Sequence, residues 1–238
     1  MTIWFASGNA NKKKELAAIL NTHGGGNYDL LIPADVGLDF DPEETETTFQ
    51  GNALLKARAL YSLLEQRRPP LFTSGDPVIA DDSGICVDAL NGRPGIYSAR
   101  YAGKAMAELG VTNNNQQRVV ISGKKLEAGE RNALLLDELG DNHLRTARFV
   151  CAMALMFNSN RFLLAQETLE GEIVKSLDCA KGSGGFGYDP ILFIPSMGRT
   201  VAELSEDEKN TVSHRARAGK VIAAMLRSYS SVKTQHTG

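Results

Sequence analysis

The stretch KGSGGFGYDPILF, from Lys181 to Phe193, decides between two classes of fold. Its glycines at positions 182, 184 and 187 spell G-x-G-x-x-G, the pattern that holds a dinucleotide's pyrophosphate in Rossmann domains. That function requires the glycines to follow a strand and to open a helix. Here they lead into Tyr188-Asp189-Pro190, and proline disfavours helical geometry in the residue before it. Since the ILFI that follows is β-like, the sequence favours a loop between strands over a dinucleotide site.

Two aromatic residues, Phe186 and Tyr188, lie within this glycine-rich loop, where polar residues are more usual. Aromatic rings can cover the flat face of a nucleobase. The loop is therefore a candidate base contact, and a plain flexible loop is the alternative.

Composition limits the classes of partner. The 238 residues, 42% hydrophobic and 23% charged, suit one large globular domain or two small ones. A net charge of −2 gives no basic field for a nucleic acid polymer. Three widely spaced cysteines argue against a disulfide framework and a zinc site. No stretch approaches the roughly 18 apolar residues of a membrane span, and the N-terminus lacks a signal peptide's basic region. We therefore predict a cytoplasmic protein with no membrane partner.

Hydrophobic patterning predicts a mixed α/β fold. A strand is expected at residues 2–7, a helix from about Asn11, and a central strand at 147–157, which is apolar on both faces. The remaining predicted elements are strands at 28–33, 77–80 and 85–90, a DDSG turn between the last two, helices at 49–64 and 131–139, two strands meeting at Glu170-Gly171, a strand at 191–194 and a terminal helix from about His214.

The stretch SGNANKKKE, from Ser7 to Glu15, is typical of an anion site. A strand ends, Gly8 permits a tight turn and a helix begins, so that free backbone N–H groups would face a ligand. Three lysines in the first helical turn are unfavourable at the positive end of the helix dipole unless an anion binds there. Lys12, one turn after the glycine, is the better phosphate candidate, whereas Lys13 and Lys14 fit a solvated lysine run equally well.

The stretch VIADDSG, from Val78 to Gly84, places two carboxylates after a buried strand. Adjacent strand residues point to opposite faces, so Asp81 and Asp82 are expected to have different roles. One would face a pocket while the other fixes the turn. A plain turn without a functional role is the alternative.

The stretch EKNTVSHRARAGK, residues 208–220, opens the last helix. Ser213 is the expected N-cap, which puts His214 and Arg215 in the first turn, where anions bind, with Lys209 just upstream. An ordinary amphipathic helix with a basic outer face would explain Arg217 and Lys220 but explains the first-turn pair poorly.

Taken together, these motifs and EETETTFQGNALLKA, IADDSGICVDALNGRPGIYSARYAG and TVAELSEDEKNTVSHRARA resemble the inosine triphosphate pyrophosphatase family, from Ser7 to Ala218. The resemblance implies an α/β fold with an elongated mixed β-sheet flanked by helices and two lobes around a central substrate cleft. It also implies a homodimer, a Mg²⁺ requirement, and hydrolysis of ITP, dITP and XTP to the monophosphate and pyrophosphate, which would cleanse the nucleotide pool. Residues 1–238 would then form a single two-lobed domain, in which residues 104–130 match poorly and are interpreted as an insertion.

The resemblance also implies roles for individual residues. Asp82 would accept the proton and, with Glu43, bind magnesium. Ser7 stands where threonine is commoner, and Gly51 stands where many relatives have glutamate, so no metal role is assigned there. The implied triphosphate contacts are Ser7, Gly8, Asn9, Ala10, Asn11 and Lys12. Ser83 would also touch substrate, and the implied nucleotide and base contacts are Phe186, Gly187, Tyr188, Asp189, Lys209, His214 and Arg215.

Two other functions stay open at this point. The chain could be a pyrophosphatase for other nucleotides such as modified pyrimidines, or a nucleotide-binding regulator without turnover. The paired carboxylates argue against the regulator, because a sensor of an anionic ligand gains little from them. Lys209, His214 and Arg215 are rich in donors, so selection of 6-oxo purines over adenine is predicted.

Overall fold

The computed structural model describes residues 1–102, 126–182 and 187–235. Phe186 and most of the predicted insertion lie outside the described residues. Within them, seven strands form one mixed sheet in the order β2-β1-β3-β4-β5-β6-β7. The strands are β1 (Thr2–Phe5), β2 (Asp29–Leu31), β3 (Val78–Val87), β4 (Thr146–Asn158), β5 (Arg161–Ile173), β6 (Leu192–Ile194) and β7 (Arg199–Thr200). The α-helices are α1 (Ala10–His23), α2 (Phe49–Arg67), α3 (Ala128–Leu139), α4 (Glu206–Val212) and α5 (His214–Gln235).

The chain divides into two compact units. The first comprises Met1–Asp82, Cys151–Glu167 and Asn210–Gly238, and the second comprises Ser83–Val150 and Thr168–Lys209. The mixed α/β class is confirmed, whereas the single two-lobed domain with a central cleft stays a prediction.

The first unit is built on a parallel arrangement of β1 with β2 and β3. Helix α1 packs against α5, and its residues Leu16, Ile19 and Leu20 are buried. Phe5, the last residue of β1, is paired with Ile79, so Asp81 lies just beyond the end of β1, where α1 begins. Carboxyl ends of parallel strands are the usual ligand-binding edge of such sheets. The core includes Ile3, Phe5, Leu16, Leu20, Ile79, Met153, Leu155, Phe157, Ile222 and Leu226.

The second unit contains the antiparallel pairs β5–β6 and β6–β7. The prediction of two strands meeting at Glu170-Gly171 is wrong, because β5 runs unbroken through both residues. Gly171 has a packing role instead: a Cβ there would lie 2.5 Å from the carbonyl oxygen of Phe193 on β6. In the same unit, the carboxylate of Glu138 pairs with Arg93 at 2.5 Å and accepts a hydrogen bond from the Tyr101 hydroxyl.

The prediction of a turn at DDSG is also wrong. Residues 81–84 continue β3, a ten-residue strand that is buried along most of its length. The sequence is turn-like in composition, but both aspartates have charged or polar partners that allow them to stay buried within a strand. The central strand β4 is confirmed, with an uninterrupted buried run from Phe149 to Phe157.

In the described part of the glycine-rich stretch, from Gly187 onward, the chain does not continue into an α-helix. It leads into a short 3₁₀ turn, Asp189–Ile191, and then into β6, as the proline predicted. Gly182 has φ +81°, and a Cβ there would lie 2.4 Å from the backbone of Ala202. Backbone geometry and close packing therefore account for this glycine. Among the described residues, no helix combines the length and the apolar character that crossing a bilayer needs.

Candidate active site

The loop between β1 and α1 is closed by its own side chains. Asn9 is the N-cap of α1, and its Oδ1 accepts hydrogen bonds from the backbone N–H groups of Asn11 at 3.0 Å and Lys12 at 3.2 Å. Ser7 Oγ accepts from the N–H of Asn9 at 3.2 Å. The expectation of free N–H groups is therefore wrong at these three positions, because asparagine is among the strongest N-caps. At these three positions an anion would have to displace the existing contacts or be bound by side chains.

The first polar cluster surrounds Asp81, and we call Lys12, Glu15, Asp81 and Arg215 the Asp81 cluster. Lys12 Nζ donates to Asp81 Oδ2 at 2.8 Å, and Arg215 Nη2 lies 3.5 Å from the same oxygen. Arg215 Nη1 donates to Glu15 Oε2 at 2.6 Å. The cluster thus joins the first turns of α1 and α5 to β3.

Electrostatics keep Asp81 ionised. Burial would raise the pKa of Asp81, but Lys12, Arg215 and Lys56 outweigh it and hold that pKa well below its usual range. Burial likewise would lower the pKa of Arg215, which the neighbouring carboxylate of Asp81 instead raises. A carboxylate held in the charged form by cations is a poor proton acceptor, so Asp81 is unsuited to general-base catalysis.

The second polar cluster surrounds Asp82, and we call Glu44, Asn52, Lys56 and Asp82 the Asp82 cluster. Asp82 is 6% exposed. Its Oδ2 accepts from Asn52 Nδ2 at 3.3 Å and its Oδ1 from Lys56 Nζ at 3.2 Å, while Lys56 also donates to Glu44 Oε1 at 2.7 Å. Asp81 and Asp82 share no hydrogen-bonding side chain in these contacts, as expected for neighbouring strand positions, whose side chains point to opposite faces. That the two aspartates have different roles stays a prediction.

Asp82 has the opposite electrostatic character to Asp81. Burial raises the pKa of Asp82; Lys56 opposes this effect, and the negative charges of Glu44 and Asp81 reinforce it. Burial would lower the pKa of Lys56, but the surrounding carboxylates outweigh it and raise that pKa. A carboxylate with increased proton affinity is better matched to a general base than one with a lowered pKa.

The acidic loop before α2 presents two consecutive glutamates, of which Glu43 is the predicted metal ligand. Glu43 is exposed, whereas Glu44 is half-buried against Lys56 and close enough to Asp82 to raise its pKa. The position therefore favours Glu44, and the role of Glu43 stays a prediction. Among the described residues, no group of three or more His, Cys, Asp and Glu side chains could hold a metal ion.

Three of the predicted base-contact residues lie together in the second unit. Lys209 Nζ donates to Asp189 Oδ2 at 2.9 Å, with 13% and 11% of the two side chains exposed. Tyr188 is buried, and its hydroxyl donates to the carbonyl of Ser98 at 2.9 Å, which anchors the loop. Gly187 follows the residues that are not described, and has φ +67°. Contacts of these residues with a base stay predictions.

Other predicted site residues are placed as follows. Ser83 is half-buried in β3 directly after Asp82, and His214 is half-buried at the start of α5. The predicted cap of this helix is confirmed, since Ser213 Oγ accepts from the N–H of Ala216 at 3.1 Å. Arg215 is 3% exposed and has two carboxylate partners, so that its contact with a base stays a prediction.

Five residues of these networks are missing from the sequence-based assignment. Asn52 and Lys56 are one helical turn apart on α2, beside the buried Ala53 and Ala57, and a polar pair at i, i+4 along an apolar face was the available signal. Nothing in the loop sequence distinguishes Glu44 from its neighbour. The remaining two of the five residues are Glu15 and Asn132. Glu15 pairs with Arg215, and Asn132 Nδ2 donates to the carbonyl of Gly187 at 3.3 Å.

The chain is similar in sequence to a known protein family and to named relatives. The chain matches the Ham1 family model over residues 3–225. A protein of Treponema denticola named dITP/XTP pyrophosphatase is 43% identical over 218 residues, which is 92% of this chain and 94% of the relative. One of the same name from Leptospira biflexa is 37% identical over 91% of this chain and 92% of its own.

The fold is also similar to solved structures of Ham1 proteins. A HAM1 protein from Coxiella burnetii superposes with a TM-score of 0.74 at 34% identity, over 96% of this chain and 99% of the other. The Ham1 protein of Staphylococcus aureus gives a TM-score of 0.72 at 34% identity, over 96% and 100%.

Proposed function

The chain belongs to the Ham1 family, and on that premise we propose that it hydrolyses non-standard purine nucleoside triphosphates. The substrates would be ITP, dITP and XTP, and the products would be the nucleoside monophosphate and pyrophosphate. The reaction would remove these nucleotides from the nucleotide pool. The observation that carries the proposal is the sequence similarity to relatives named dITP/XTP pyrophosphatase, at 43% and 37% identity over 92% and 91% of this chain.

In this proposal the Asp82 cluster would supply the group that accepts the proton of the attacking water. Asp82 would orient a water molecule and accept its proton as the water oxygen bonds to the α-phosphorus. The bond from that phosphorus to the bridging oxygen breaks, and pyrophosphate leaves with the electron pair. Lys12 would stabilise negative charge on the phosphate oxygens during this step. The raised pKa of Asp82 and the lowered pKa of Asp81 support Asp82 as the proton acceptor.

The donor set also fits a magnesium ion. Magnesium is usually bound through one or two carboxylates plus substrate phosphates, and Glu44 and Asp82 already converge on one cation, the ammonium of Lys56. We propose that these two carboxylates hold Mg²⁺, which would neutralise charge on the triphosphate. Glu43, the ligand implied by resemblance, is the alternative to Glu44.

Chelation should abolish activity. We expect excess EDTA to remove pyrophosphate release from ITP, and added Mg²⁺ to restore it. Calcium should substitute poorly, because it prefers looser and higher coordination than the magnesium octahedron. Full activity in excess chelator would contradict the carboxylate–metal proposal.

We further propose that Lys209 helps to select 6-oxo purines. Its ammonium has three donors, of which Asp189 engages one, and donors suit the O6 and N7 acceptors of hypoxanthine and xanthine. Adenine presents an amino donor at position 6, which would leave the lysine donor that faces the base without an acceptor, at a cost of about 1–3 kcal/mol or more.

Replacing Lys209 should therefore reduce discrimination. We expect Lys209→Met to lower the ratio of kcat/KM for ITP over ATP by about tenfold or more. Lys220→Met is the matched control, because Lys220 makes an exposed contact instead, in which its Nζ donates to the backbone carbonyl of Thr211 at 3.0 Å. An unchanged ratio in Lys209→Met would remove this residue from base recognition.

Pyrophosphate release from ITP, from ATP and from a modified pyrimidine triphosphate, each with and without Mg²⁺, tests the proposed function. A preference for the pyrimidine would favour the other pyrophosphatase, and tight ITP binding without products would favour the regulator.

We also propose a homodimer and a cytoplasmic location, both on the family resemblance. The location is supported further by the three cysteines, which are all free thiols.

A further inference from the structure

The carboxylate of Asp81 is oriented by two cations on one oxygen. Both Lys12 and Arg215 lie at Oδ2, whereas Oδ1 is buried and has no hydrogen-bond partner among the described residues. No donor on Oδ1 therefore fixes the rotation of the carboxylate. Its position depends on the helix residues that hold Oδ2.

Arg215 is the fixed member of this arrangement. Its side chain is 4% exposed, and its two terminal nitrogens engage Glu15 at 2.6 Å and Asp81 at 3.5 Å. A planar guanidinium bound at both ends has a defined orientation. Arg215 thus holds Asp81 from α5 while its other contact ties α5 to α1.

Lys12 is the accessible member. Its side chain is 19% exposed, compared with 1% for Asp81, so it is the partner that remains partly open to solvent. An ammonium has three donors, and Asp81 engages one of them. A lysine side chain has many rotamers, and ordering it at the moment of ligand binding carries an entropic cost. Pairing with a buried carboxylate orders it beforehand.

We infer that Asp81 is a positioning residue: held by Arg215, it fixes the ammonium of Lys12 for the triphosphate. This inference rests on the proposed function for the identity of the ligand. It gives the two consecutive aspartates separate tasks, and it gives Arg215 a task in phosphate handling through Asp81.

Removing the negative charge of Asp81 distinguishes a positioning role from a purely electrostatic one. If the cluster acted only as an electrostatic field, removing the negative charge of Asp81 would strengthen binding of an anionic substrate and lower KM. If Asp81 positions Lys12, the same change reduces kcat/KM although it makes the site more positive. The two accounts therefore predict opposite signs.

A double-mutant cycle measures the coupling. Wild type, Asp81→Asn, Lys12→Ala and the double variant are compared for kcat and KM with ITP and for thermal unfolding. We expect Asp81→Asn to lower kcat/KM by about tenfold or more and Lys12→Ala by about 100-fold, with the double variant within about threefold of Lys12→Ala. Independent, multiplying losses, or a lowered KM in Asp81→Asn, would overturn the inference.

The matched control is Asp35→Asn. Lys13, which follows Lys12 on α1, pairs with Asp35 at 2.6 Å, and this variant removes the charge from that pair. Both of those side chains are about 30% exposed, and kcat/KM should stay within about twofold. If Asp81→Asn does not fold, Arg215→Lys replaces it, since one ammonium cannot hold two carboxylates in the same way. Its loss should vanish in the Lys12→Ala background, and persistence there would overturn the inference.

A binding measurement separates this inference from the proposed function. Wild type that fails to release pyrophosphate from ITP would contradict the function. The same cycle can be measured by calorimetry with inorganic pyrophosphate, which needs no turnover. Weaker pyrophosphate binding in Asp81→Asn that disappears in the Lys12→Ala background supports the positioning role. Unchanged or tighter binding contradicts it.

Discussion

Asp82→Asn should lower kcat for ITP by about 10²–10⁴-fold or more while the protein stays folded. General-base catalysis alone contributes a factor of this size, and loss of a proposed metal ligand adds to it. Asparagine keeps the shape of aspartate and one acceptor oxygen, so that one of the two contacts, with Asn52 or with Lys56, can persist. Steady-state kinetics and calorimetric titration with ITP measure turnover and binding separately.

The control for this variant is Asp88→Asn. Asp88 lies in the second unit, is about one-third exposed and pairs with Arg148 at 2.8 Å, so its replacement should change kcat by no more than about twofold. Activity of Asp82→Asn within about threefold of wild type would remove the general-base assignment. Unfolding of Asp82→Asn would be visible as a lost thermal transition.

Lys12→Ala should reduce kcat/KM for ITP by about 10²-fold or more, whereas Lys13→Ala should change it by about twofold at most. Removal of one donor that stabilises transition-state charge typically costs a factor of about 10²–10³. Lys12 reaches the buried Asp81, but Lys13 points to Asp35 in a half-exposed pair of the kind that contributes little. The two side chains lie about 100° apart on α1.

The paired lysine variants serve as controls for each other, since both remove one charge from the same helical turn. Equal losses of kcat/KM in the two variants would show that the lysine run acts as a diffuse field. Measurements at two salt concentrations would reveal such a field, because interactions between exposed charges are screened.

The fold was largely predictable because its strands and helices carry clear periodicity. The errors occur where a local signal has two meanings. Glycine at position 171 suggests a turn, but here the missing side chain permits the backbone of Phe193 on β6 to approach β5 closely. The stretch from Asp81 to Gly84 has turn-like composition, yet it remains strand because partners from α1, α2 and α5 stabilise its buried charges.

The candidate site was predictable in part. Strand alternation predicts that Asp81 and Asp82 point in different directions, because it depends only on local geometry, and their hydrogen-bond partners do differ. The partners of these residues come from elsewhere in the chain: Lys56 is 26 residues from Asp82, and Arg215 is 134 residues from Asp81. No local pattern specifies such pairings. Glu43 and Glu44 are adjacent in a loop without periodicity, so only tertiary structure distinguishes them.

The most direct test of the central claim is hydrolysis of ITP in ¹⁸O-labelled water with mass analysis of both products. Attack of water on the α-phosphorus predicts equal amounts of IMP and pyrophosphate, with the label in the phosphate of IMP. Label in pyrophosphate, or formation of IDP and orthophosphate, would show that another phosphorus is attacked and would contradict the account.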